Sequence, residues 1–228
     1  MGLVYCFIIN FNRLELPSRL ADFAAETPGV KPVFLDNNST YPPLLEYYKT
    51  CPHEVLKLGF NYGSAAPWHP KAGVLDHFDL RGGFIVTDPD LGIDHMPSDW
   101  LHELQTGLDR HAGVCKSGFG LMVDDLPDTE IGRAARKNQK IEWSHPLDGG
   151  RYFRSSIDTT FCLCRTRLHD FPAVRTNAPY LARHVPWYYT CLEDVPEDEV
   201  YYLRSITPRR SNWWAGEIRD FVGLEKIP

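Results

Sequence analysis

Asp88 and Asp90 flank Pro89 just beyond the apolar run GGFIVT. Two carboxylates so spaced past a buried strand can reach one divalent cation. Hard cations such as Mg²⁺ or Mn²⁺ take oxygen ligands and share their sphere with phosphate oxygens. Such a cation holds a diphosphate and stabilises it as a leaving group. An isolated Asp-x-Asp is an ordinary turn, since Asp favours turns on its own account. Here it belongs to a series. Asn12 and Arg13 follow a first apolar run, Asp36, Asn37 and Asn38 a second, Asn61 a third, and Asp124 and Asp125 a fifth. In an open α/β sheet, ligands bind beyond the carboxyl ends of the strands, where these residues fall.

The elements that must position them follow from hydrophobic periodicity. Strands are expected over 3–11, 31–36, 54–58, 83–88 and 116–124, the first a nearly continuous apolar run buried on both faces. Helices are expected over 17–26, with Pro17 in the first turn and Leu20, Phe23 and Ala24 on one face, over 43–50, and over 97–111 with Ser98 as N-cap. After Asp125 a helix mixes with loops, 157–165 reads as a strand, and the tail from Glu193 reads as one helix and an aromatic-rich wrap. Alternating strands and helices imply an α/β fold, a mostly parallel sheet flanked by helices.

Four blocks, FIINFNRLELPSRL, VFLDNNST, LGFNYGSAAP and FIVTDPDL, resemble family 2 of the GT-A glycosyltransferases, in that family's order, over the N-terminal ~90 residues. The resemblance implies a Rossmann-like GT-A fold in a single domain, with 1–95 binding the nucleotide sugar and 96–228 the acceptor. It places Asp36 on the nucleotide base, usually uracil, and Asp88 and Asp90 on a Mn²⁺ or Mg²⁺ bridging the donor diphosphate. It sets Asn12, Arg13, Asn61 and Gly63 in the blocks lining the nucleotide site. It also implies transfer with inversion from a nucleoside diphosphate sugar, UDP-sugar favoured, to a glycan or glycolipid hydroxyl.

The second half departs from the family. RSSIDTTFCLCR resembles the expected strand, but ARHVPWYY stands where a Glu-Asp pair supplying the base is usual, and Glu193-Asp194 comes later. Candidates to deprotonate the acceptor are therefore Asp158, Asp125 and His184, with Asp124 more simply a turn residue. Asp158 is preferred as a charge inside an expected buried strand, where burial would raise its pKa toward the working pH. His184 alternatively completes the metal sphere or meets a phosphate. Arg183, Arg209 and Arg210 are candidates for the diphosphate, and Trp187, Tyr188, Tyr189, Trp213 and Trp214 for sugar faces or core.

Composition narrows the alternatives. The 228 residues, 43% hydrophobic, suit one well-buried core. A formal net charge of -6 argues against a non-specific nucleic-acid binder. No apolar run is long enough to span a bilayer, so a cytoplasmic protein is expected, peripheral membrane contact being left open. None of the six cysteines forms a Cys-x-x-Cys; Cys162 and Cys164 share a strand face, and reduced thiols are expected. The absence of a Gly-rich basic loop after the first strand weighs against a nucleotidyltransferase, and of Gly-x-Gly-x-x-Gly against a dehydrogenase. A non-catalytic nucleotide-sugar or glycan-binding module is the alternative from another class.

Overall fold

A computed structural model of the chain describes residues 2–81, 83–167, 169, 172–206 and 213–224. Strand β1 (Val4–Asn10), helix α1 (Glu15–Ala25), β2 (Val30–Asp36), α2 (Pro42–Thr50) and β3 (Glu54–Lys57) open the chain. Then come α3 (Val74–His77), β4 (Phe84–Thr87), β5 (Leu91–Gly92), α4 (Trp100–Arg110), β6 (Lys116–Gly118) and β7 (Gly120–Leu121). The remainder is α5 (Glu130–Gln139), β8 (Pro146–Leu147), β9 (Tyr152–Ser155), β10 (Cys162–Cys164), β11 (Ala173–Thr176), β12 (Leu181–His184), α6 (Glu197–Ser205) and α7 (Trp213–Phe221).

Among the described residues the main sheet has nine strands in the order β3-β2-β1-β4-β10-β6-β11-β9-β8, and β5-β12-β7 form a smaller sheet. Strands β3, β2, β1 and β4 are parallel, as alternation with helices requires. Beyond β4 the sheet is mixed: β10 runs antiparallel to both neighbours and β11 runs parallel to β6. This is the α/β, Rossmann-like architecture that the resemblance implies.

Period-two alternation along β1 builds both layers of the core. Cys6 and Ile8 pack with Leu20, Ala24, Trp100 and Leu104 on the face covered by α1 and α4. Phe7 and Ile9 pack with Phe78, Phe84 and Val86 on the other. Trp100 is 1% exposed, and its indole N–H donates to Thr27 Oγ1 at 3.0 Å, so a polar group enters the core with its partner.

Several expectations are corrected. The strand expected over 116–124 breaks at Phe119 between β6 and β7. Gly118 and Gly120 flank the break because backbone crowds both: an added Cβ would stand 2.7 Å from the Phe161 carbonyl and 2.5 Å from the Thr176 carbonyl, respectively. Helix α4 starts at Trp100, after Asp99 rather than Ser98, and no side chain caps it; the Asp99 carboxylate instead accepts from the Tyr180 hydroxyl. Of the strand expected over 157–165, only Cys162–Cys164 pairs. The carbonyls of Ile157 and Asp158 are taken by Lys116 Nζ, and that of Thr159 by the Asp88 N–H, so this stretch is a loop. The tail forms two helices rather than one. Arg209 and Arg210 lie outside the described residues. All six cysteines are free, with the sulfurs of Cys162 and Cys164 3.7 Å apart. Among the described residues, no helix is long and apolar enough to cross a membrane.

Candidate functional site

A cleft of 1320 Å³ opens along the carboxyl ends of β1, β2 and β4, where Arg13, Asn38, Asn61, Gly63, Asp88 and Asp90 reach its lining. Pairing of β5 with β12 sets Leu91 against His184. The neighbouring Asp90 is thereby brought to the imidazole: His184 Nε2 stands 3.6 Å from Asp90 Oδ2. The Val185 N–H donates to the Asp90 carbonyl at 3.0 Å and fixes the same junction through the backbone. His184 stacks on Trp187, with ring centroids 4.5 Å apart, and burial pushes its pKa down, favouring the neutral ring.

Arg13 enters from the other side. Its Nη2 lies 3.3 Å from Asp90 Oδ2, and Nε and Nη2 both donate to the Glu199 carboxylate of α6. The Tyr202 ring lies 3.5 Å from the guanidinium carbon. Burial opposes the charge on Arg13, but Glu199, Tyr202 and Asp90 outweigh it and hold the guanidinium protonated. Helix α6 is fastened to this corner at two further points. Asp198 Oδ2 accepts from the N–H groups of Leu14 and Glu15 at 2.7 and 2.9 Å, capping α1, which has no side-chain cap of its own. Ser205 Oγ accepts from Asn12 Nδ2 at 2.9 Å.

Asp88 accepts from the Thr159 hydroxyl at 2.6 Å. Burial, then the neighbouring charges of Asp158 and Asp90, push its carboxyl well above the usual range. Carboxylates crowded in this way call for a positive charge between them. Asp90 Oδ1 and His184 Nδ1 are buried without a hydrogen-bond partner among the described residues. An unpartnered carboxylate oxygen beside a second carboxylate suits a hard cation. No three His, Cys, Asp or Glu side chains form a ready-made cage among the described residues. Asp88 and Asp90 therefore fit a cation that draws its other oxygens from phosphate and water.

No family profile matches this chain. No curated protein matches it in sequence. Among solved structures it is similar to a crystal structure of S. aureus TarS, residues 1–349, at 12% identity and a TM-score of 0.48, over 98% of this chain and 67% of that one.

The other sequence candidates fall into three groups. Asn61 and Gly63 line the cleft: Asn61 Oδ1 accepts from the Gly63 N–H at 2.9 Å, and Gly63 has φ +63°, the left-handed region that glycine takes without strain. Asn12 and Asp36 stand behind the wall and shape it. Asn12 is fully buried, and its Oδ1 accepts from the Thr40 and Tyr41 N–H groups. Asp36 is 3% exposed, accepts from the Ser39 N–H at 3.3 and 3.4 Å, and has its pKa raised chiefly by burial. The exposed polar side chains that this loop brings to the cleft are Asn38 and Thr40, while the buried Asn37 amide bonds to the Tyr62 N–H and the Gly63 carbonyl.

The base candidates separate as well. Asp125 is not at the cleft: its carboxylate receives Arg183 Nε and Nη2 at 3.0 and 2.7 Å and the Tyr188 hydroxyl at 2.6 Å, on a half-exposed face. That network also removes Arg183 from the diphosphate. Asp124 is exposed in the same turn. Asp158 does line the cleft, but from a loop rather than inside a strand. Its pKa is lowered, not raised: burial pushes it up, and the Thr159 N–H, Arg175 and the Thr160 N–H pull it below the ordinary carboxylate value. Arg175, Glu199 and Tyr202 carried no sequence signal, because their partners lie far away in the chain or on elements not foreseen.

Proposed function

We propose that this chain is a metal-dependent glycosyltransferase. It would take a sugar from a nucleoside diphosphate sugar, a UDP-sugar in the first instance, and deliver it with inversion to a hydroxyl of a glycan or glycolipid. The reading is carried by the convergence of Asp88 and Asp90 with Arg13 and His184 in one cleft at the carboxyl ends of β1 and β4.

The loops after β2 and β3 would receive the nucleoside, with the exposed Asn38 amide facing the base and ribose and Asn37 bracing the 61–63 turn through Tyr62 N–H and the Gly63 carbonyl. Asp88 and Asp90 would hold a divalent cation, whose chemistry there would be to neutralise charge on the diphosphate leaving group. Thr159 fixes the Asp88 carboxylate, and His184, held neutral by burial, faces the same region through Asp90. Asp158 accepts the acceptor hydroxyl's proton as the glycosidic bond forms, its low pKa keeping it ionised at neutral pH.

Titration of UDP with and without Mn²⁺, followed by turnover of UDP-sugars before and after EDTA, tests the reading. Expected are Mn²⁺-dependent UDP binding and EDTA-sensitive transfer or slow hydrolysis. UDP binding indifferent to EDTA, with no turnover of any UDP-, GDP- or dTDP-sugar, rejects it. Mn²⁺-dependent binding without turnover leaves a non-catalytic nucleotide-sugar module.

A further inference from the structure

The cleft continues past Asp158 along the end of α5 and the β9–β10 loop, where none of the donor groups lies. Arg175 of β11 lines this stretch with only 6% of its side chain exposed. Its Nε donates to Ser155 Oγ and the Ser156 carbonyl, both at 3.0 Å, while its Nη1 is buried and has no partner among the described residues. Gln139, the last residue of α5, lines the same stretch, and its Oε1 is also buried and unpartnered. Glu142 completes the wall. It accepts from the Ser156 N–H at 3.3 Å and from the Ser155 hydroxyl, with Oε2 4.0 Å from Arg175 Nε.

Buried polar atoms are nearly always paired, so an unpaired donor and an unpaired acceptor in one stretch of cleft mark a place where a ligand supplies the partners. The mixture selects the ligand. A hydroxyl both donates and accepts, so neighbouring hydroxyls can satisfy Arg175 Nη1 and Gln139 Oε1 together. A phosphate or carboxylate chiefly accepts. It would pair with Arg175, leave Gln139 Oε1 without a donor, and face the Glu142 and Asp158 charges against one guanidinium. We propose that Arg175, Gln139 and Glu142 form an acceptor subsite for an uncharged, hydroxyl-rich ligand, a sugar face or a polyol, and not for a phosphorylated one. Its place beside the donor rests on the function proposed above; its ligand class rests on these three residues.

The test is saturation-transfer NMR with the full chain. One arm uses neutral methyl hexosides and glycerol, the other hexose phosphates and glycerol phosphate, with UDP and Mn²⁺ titrated into the same samples. Neutral ligands are expected to bind more tightly than their phosphorylated counterparts, and Gln139→Leu and Glu142→Gln to weaken that binding about tenfold each. Arg175 is left intact because its burial makes a substitution there a test of folding. Tighter binding of the phosphorylated ligands, binding of no neutral ligand, or wild-type affinity in both variants overturns the proposal. Neutral ligands that bind with the expected dependence in a chain that ignores UDP support the subsite and reject the donor reading.

Discussion

Arg13 and Glu199 meet across 186 residues of sequence, with both Nε and Nη2 of the guanidinium on one carboxylate, and the same Nη2 stands 3.3 Å from Asp90. Both side chains are almost wholly buried. Breaking a buried pair from one side leaves an uncompensated charge, at a cost of about 3–5 kcal/mol. Arg13→Met and Glu199→Gln are each expected to lower unfolding free energy by roughly that amount in urea melts. The double variant should recover much of the loss, because neither charge is then stranded. Losses that simply add would show that the two residues act independently.

Asp88→Asn and Asp90→Asn should each weaken Mn²⁺-dependent UDP binding by about tenfold or more, equivalent to about 1.4 kcal/mol, in calorimetric titrations. The thermal midpoint of Asp88→Asn should not fall. Asp88 is held protonated-prone by burial and by its acidic neighbours, so neutralising it relieves repulsion. Mn²⁺-dependent affinity unchanged in both variants removes the metal assignment.

The donor half was the more legible because its signals are local. An apolar run followed within a few residues by Asp or Asn is enough to mark a parallel strand and its carboxyl end, and β1, β2 and β4 are read that way. The acceptor half depends on contacts that no spacing encodes. Strand β10 lies between β4 and β6, and its predecessor loop is extracted from the sheet by Lys116 and Asp88, so Asp158 read as a strand residue while it stands in a loop. Glu199 had the appearance of a charge on an acidic helix, because its partner Arg13 is at the other end of the chain.

On the proposed function, Asp36 would act on the nucleotide through the loop it holds. Its carboxylate is buried against the Ser39 N–H, and the loop's exposed cleft-lining side chains are Asn38 and Thr40. Asp36→Ala should lower affinity for UDP and ADP by similar factors in competition binding. A loss confined to UDP would restore the direct contact with uracil that the family resemblance implies.

Glu103 sets part of the acid limit of stability. It is 2% exposed, accepts from Arg151 Nε at 2.8 Å, and its backbone carbonyl accepts from the Tyr152 hydroxyl at 3.1 Å. Burial raises the carboxyl's pKa, but hydrogen bonding with Arg151 and Tyr152 carries it below its ordinary value of 4.5. A depressed carboxylate contributes stability that is present above the unfolded value and lost as pH falls through the folded one. Melting temperature should thus drop more steeply below pH 4.5 in the wild type than in Glu103→Gln. The variant should be less stable at neutral pH by about 1–3 kcal/mol. Parallel pH profiles would show that Glu103 titrates alike in both states.

The base is settled by three variants compared side by side. Asp158 lines the cleft near Asp88, Asp125 is locked to Arg183 and Tyr188 outside it, and His184 sits against Asp90 with its pKa lowered. Asp158→Asn should cut turnover by roughly 10²–10⁴ with UDP affinity nearly unchanged. Asp125→Asn should keep turnover near normal and lose only a surface ion pair. His184→Ala should weaken Mn²⁺-dependent UDP binding, because the imidazole stands 3.6 Å from the carboxylate proposed to hold the cation. The pH profile adds an independent reading. A base whose pKa lies below the ordinary carboxylate value of 3.8 stays ionised through mildly acid pH, so turnover in the wild type should show no acid limb from Asp158 above that value. Normal turnover in Asp158→Asn, with turnover lost at unchanged UDP affinity in His184→Ala, would transfer the role to the imidazole. An acid limb would then appear below its ordinary value of 6.5, where the ring takes up a proton and can no longer accept one.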